Sequence, residues 1–192
     1  GLTVLGDPVL GVDDPRLDAP ELEDRPPEER GVGAPAADGL RRLRHAAAEM
    51  AAIAALAPDS EKTVRTGSEA TRAFVLDGGI EGARYVHFAT HGTFDPDTPA
   101  RSGLFLSAFD AAGRPIPSFL GLEDIYRLEL DAEVVTLSAC ETALGREVES
   151  EGLIGLTRGF FHAGARQVIA SLWRVDDAAT RALMTRFYRS LF

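Results

Sequence analysis

Residues 83–92 read Ala83-Arg84-Tyr85-Val86-His87-Phe88-Ala89-Thr90-His91-Gly92, an apolar run that stops on a histidine and a glycine. Tyr, Val and Phe favour strands. A run this apolar at nearly every position suits a strand covered on both faces. Glu133–Ser138, built on Val134, Val135 and Leu137, has the same character and delivers Cys140; Arg166–Leu172 is a third such run. Working outward, Leu2–Leu5 and Lys62–Thr66 read as further strands. Leu40–Ala57 is rich in helix formers and stops at Pro58. Ser68 is placed to cap a helix over Glu69–Leu76. Leu122–Leu128 suits a short helix, and Gly152–Ala163 a longer one with Gly164 at its C-terminal cap. A last helix starts at Asp176 or Asp177 and runs to about Ser190. Leu104–Phe109 and Arg114–Ile116 flank the turn Asp110-Ala111-Ala112-Gly113, which predicts a hairpin. Strands and helices alternate, so the expected fold is an α/β sandwich with a mainly parallel sheet and a hairpin insertion.

Composition narrows the function classes. At 192 residues the chain suits one domain, and 45% hydrophobic with 26% charged residues is ordinary for a globular protein. The net charge of −10 argues against direct contact with nucleic acid, which relies on clustered Lys and Arg. No apolar stretch is long enough to span a membrane. The start lacks the basic head of a secretory signal and an initiator Met, as expected of a piece of a longer protein. Gly11–Arg30 holds eight acids, three arginines and four prolines. That composition predicts a solvated acidic, Pro-rich loop over about residues 11–38. A single cysteine excludes an internal disulfide and a cysteine-rich zinc site, and fits a reducing, cytoplasmic setting. The four histidines lack metal-ligand spacing, so neither a metal nor another cofactor is expected.

Chemistry is expected beyond the carboxyl ends of parallel strands. His91 lies just past one such strand and Cys140 just past another. A thiolate is a nucleophile, and a nearby imidazole lowers the thiol pKa and protonates a leaving amine. The pair is 49 residues apart with the His first, the order and spacing of caspases. The N–H groups of Gly92 and Cys140 are natural donors for an oxyanion hole. The plainer alternatives are a buried inert thiol and a strand-end histidine. His87 shares a strand face with Ala89 and His91, and reads as a core histidine with its hydrogen bonds satisfied.

Tyr85–Gly92, Ser102–Ser107, Leu137–Ala143 and the stretch from Glu151 through Gly164 to Asp177 resemble, in order, the core motifs of CHAT domains. The resemblance covers roughly Ala83–Thr185. CHAT domains are similar to caspases, separases and gingipains. The resemblance therefore implies a caspase-like α/β/α sandwich and a Cys–His dyad endopeptidase acting on a protein substrate. It implies catalytic roles for His91 and Cys140. It also implies tetratricopeptide-repeat or other regulatory domains outside this chain, and a place in a bacterial regulated-proteolysis, defence or cell-death system.

Family members usually continue beyond the helix at 177–190 into another helix and a strand. The resemblance thus implies either a C-terminal truncation or a sheet completed by something absent from this sequence, with an unpaired edge strand as the consequence. Residues Leu172–Asp177 are similar to a separase motif whose acid holds a P1 arginine. By that match Asp177 would receive a basic P1 side chain and Trp173 would wall its pocket. The alternatives are a helix N-cap for Asp177 and a core aromatic for Trp173. A catalytically silent scaffold with the same fold is the competing reading for the whole chain.

Overall fold

The computed structural model describes residues 1–17, 40, 42, 43, 45–93, 95, 98, 101–138, 150–171 and 177–192, with backbone alone for 150–153 and 177. In chain order the elements are β1 (Leu2–Pro8), α1 (Ala46–Ala54), β2 (Lys62–Gly67), α2 (Arg72–Phe74), β3 (Tyr85–Ala89), β4 (Gly92–Thr93), β5 (Gly103–Phe105), β6 (Phe119–Gly121), α3 (Leu122–Ile125), β7 (Val134–Leu137), α4 (Ser150–His162), β8 (Val168–Ala170) and α5 (Asp177–Leu191). Five strands form one sheet in the order β2-β1-β3-β7-β8, and every neighbouring pair is parallel. The expected α/β architecture with a mainly parallel central sheet is the observed one. Among the described residues no helix is long and apolar enough to cross a membrane.

Side chains of a strand alternate between faces, and each face has its own helices. Leu2, Val4, Tyr85, Ala89 and Val134 pack with Met50 and Ile53 of α1 and Met184 and Tyr188 of α5. Leu5, Val86, Phe88, Val135 and Leu137 pack with Leu156 and Phe160 of α4 and with residues around α2 and α3. Both faces are covered, which is why these strands are apolar throughout. At the edge, β8 is only half-buried.

The hairpin keeps one register from Gly103–Gly121 to its tip. Leu106 N–H donates to Ser118 O (2.8 Å), Ile116 to Ala108 (2.8 Å) and Asp110 to Arg114 (3.0 Å). Asp110 Oδ1 accepts from the Ala112 and Arg114 N–H groups and closes the turn. The return arm extends to β6, further than the sequence reading reached. Pro115 and Pro117 disguise it, since proline argues against a strand. Here Ile116, between them, is the residue that donates across the hairpin, so the prolines' missing N–H groups cost little. With β4, β5 and β6 form a small antiparallel sheet beside the main one.

Two helix starts differ from expectation. Glu69 and Ala70 are held in a turn by Thr66 O and Gly67 O, with Gly67 at φ 57°. The cap is Thr71, whose side chain accepts from Phe74 N–H, and not Ser68. The first long helix begins at Ala46, later than Leu40.

Candidate active site

The parallel register of β3 and β7 pairs Tyr85 with Val134 and Phe88 with Leu137. Ser138 N–H continues it by donating to Phe88 O at 2.8 Å. Both chains therefore leave the sheet at one edge. Past that edge, Thr90 Oγ1 donates to Phe105 O, and Phe105 N–H donates to His91 O at 2.9 Å. The backbone of His91 is thus pinned between the main sheet and the small one. The residue as a whole is 2% exposed. Gly92 pairs with Leu104. Because Phe105 donates to His91, Gly92 is a non-hydrogen-bonded position of the ladder, and its N–H faces away from β5.

Cys140 and Trp173 lie outside the described residues. Asp177 is the first residue of α5. Among the described residues, no group of three or more His, Cys, Asp or Glu could hold a metal ion. A cavity of about 350 Å³ opens at the opposite, amino-terminal edge of the sheet, lined by residues that include Gly1, Lys62, Gly79 and Glu81. It carries neither histidine nor cysteine, so size alone does not locate this chemistry.

Two polar clusters near the carboxyl edge were not foreseen as such. The first centres on Asp7, at the end of β1, in the left-handed region at φ 45° and 3% exposed. Its carboxylate accepts from Arg42 Nε (2.7 Å) and Nη2 (2.6 Å) and from Arg16 Nη1 (2.9 Å). Arg16 also binds Asp14, whose carboxyl is held below its ordinary value chiefly by that hydrogen bond. The bond to Asp7 raises Arg42. Val12 and Leu17 pack on Val9, Ala108 and Phe109. The head of the acidic stretch is therefore docked, and residues 18–39 lie outside the described ones. The sequence signal was an Asp-x-Arg pair within a loop, too short a pattern to distinguish from solvated charge.

The second cluster surrounds His87, which is fully buried. Its Nε2 is 2.9 Å from Glu49 Oε1 and its Nδ1 is 3.2 Å from Tyr188 Oη. Tyr188 donates to Thr136 Oγ1 at 2.9 Å, and Ser138 Oγ donates to Glu49 Oε1. His87 is a satisfied core histidine, as its strand face suggested. Burial, above all, pushes the Tyr188 hydroxyl well above its ordinary value; Glu49's charge adds to this and the Thr136 hydrogen bond opposes it.

The family model described as CHAT domain matches residues 14–192. Mouse tetratricopeptide repeat protein 28 is 32% identical over 65% of this chain and 6% of its own length. The human protein of that name is 30% identical over the same shares. The chain thus spans about 6% of the length of these curated relatives.

Proposed function

The chain belongs to the CHAT domain family, a caspase-like peptidase family, and from that premise we propose that it is a cysteine endopeptidase with Cys140 as nucleophile and His91 as its acid–base partner. The observation that carries this reading is the β3–β7 register. Phe88 pairs with Leu137, and counted along the sequence His91 and Cys140 each follow by three residues. Adjacent strands lie about 4.8 Å apart, so the ends of β3 and β7, from which the two segments continue, lie side by side.

In the proposed reaction the Cys140 thiol gives its proton to His91, the thiolate attacks the scissile carbonyl carbon, and the carbonyl π pair moves onto oxygen. The N–H groups of Gly92 and Cys140 hold that oxyanion. The outward direction of the Gly92 N–H supports its role, and each such donor contributes about 2.7–4 kcal/mol in a well-studied protease. Collapse breaks the C–N bond, and the amine leaves with a proton from His91. Water then attacks the thioester while His91 takes its proton, which releases the carboxylic product and the thiolate.

Asp177 at the start of α5 would receive a basic P1 side chain, with Trp173 as a wall of the pocket. The repeat named in the two relatives supports tetratricopeptide repeats outside this chain as its partners; regulated proteolysis is the setting proposed for the pair. Digestion of a mixed peptide library, read by mass spectrometry, tests the proposal. Wild type should cleave after Lys or Arg, and Cys140→Ala and His91→Ala should not cleave. Cleavage indifferent to a basic P1 removes the Asp177 assignment. Cleavage that survives Cys140→Ala removes the nucleophile.

A further inference from the structure

Behind the two strand ends, one polar cluster crosses the sheet face covered by α1 and α5. His87 of β3, Thr136 of β7 and Ser138 just beyond β7 share that face. Glu49 reaches them from α1 and Tyr188 from α5. We propose that Glu49 is a positioning residue for the peptidase centre, holding the ends of β3 and β7 at a fixed height relative to each other. The proposal rests on the peptidase reading.

The geometry is specific. One carboxylate oxygen, Glu49 Oε1, takes both Ser138 Oγ–H and His87 Nε2. Ser138 is two residues before Cys140, and His87 is four before His91. The single acceptor therefore tethers the approach to both reacting groups. Its surroundings do not otherwise call for a charge. Glu49 is 4% exposed and sits among Ala46, Met50 and Ile53 on the buried side of α1. A buried carboxylate is costly unless paired, and an apolar residue of its size often serves packing as well or better. Ser138 is only partly buried, so water could satisfy its hydroxyl. Its engagement with Glu49 instead links the end of β7 to a helix. Tyr188 gives β7 a second anchor through Thr136, two residues earlier on the same face.

The test uses the whole chain and two readouts. Hydrogen exchange followed by mass spectrometry reports the backbone at 134–138 whether or not the protein is active. Labelling by a peptidyl acyloxymethyl ketone, analysed as separate maximal rate and half-saturation, reports the centre. Ser138→Ala removes one hydroxyl; Ser138→Thr keeps it; Glu49→Gln replaces the carboxylate with an isosteric amide. Ser138→Ala should speed exchange at 134–138 about tenfold, the scale of a lost hydrogen bond to a charged group. It should also lower the maximal labelling rate with half-saturation unchanged, and Ser138→Thr should restore both. Exchange within about twofold of wild type in both Ser138→Ala and Glu49→Gln, with wild-type labelling intact, overturns the tether and leaves the peptidase reading standing. Faster exchange in a wild-type protein background that never labels overturns the peptidase reading and retains the tether.

Discussion

Gly6 shows how closely the residues near the candidate site are fitted. A Cβ there would sit 2.2 Å from Ala89 O, on the strand that leads to His91. Only glycine lets β1 approach β3 that closely at this point. Gly6→Ala should cost ~1–3 kcal/mol through forced separation of the two strands. For a chain of this size that lowers Tm by about 2–4 °C per kcal/mol. Thermal unfolding checks it, and an unchanged midpoint would mean that β1 and β3 part freely. At the same scale, the strand-end position of His91 and Gly92 was legible from sequence because it closes an apolar run. Glu49 was not. A glutamate inside an Ala-rich helix looks like any solvated helix former until the partner strand is known.

At the scale of elements, the buried strands were the most legible, since sheet burial on both faces writes an apolar run that few alternatives share. Helix starts were less so. Ser68 and Thr71 are both good caps, and the choice fell to Thr71 because Gly67, at φ 57°, turns the chain first. The β6 arm was hidden by its prolines. The docking of α5 onto the sheet also has a measurable consequence. Burial raises the Tyr188 hydroxyl above its ordinary value near 10, so the folded state keeps the proton that the unfolded chain loses. The resulting stability is fully present below that value and is lost as pH rises above it. Denaturant midpoints should show wild type losing ~1.4 kcal/mol from this group between about pH 9 and pH 11. In Tyr188→Phe that part of the slope should vanish. An identical alkaline slope in both proteins would contradict the burial of Tyr188.

At the scale of the whole molecule, the parallel sheet brings two distant segments to one edge. The strand order changes direction at β1, so the carboxyl edge is also where a doubly covered sheet opens to ligands. The Asp7–Arg16–Arg42 cluster closes part of that edge, and the β4–β5–β6 sheet braces His91 from the side. A fold of this kind hosts many functions, and what distinguishes this one is the identity of the residues at the edge. Because the chain has a single cysteine, a thiol-directed reagent reports Cys140 without ambiguity. The most direct measurement is intact-mass analysis after exposure to a peptidyl acyloxymethyl ketone, with and without the proposed tetratricopeptide-repeat domains. One adduct should form on wild type and be lost in both Cys140→Ala and His91→Ala. Absence of an adduct on wild type under both conditions, or labelling unchanged in His91→Ala, would contradict the dyad and favour a silent scaffold.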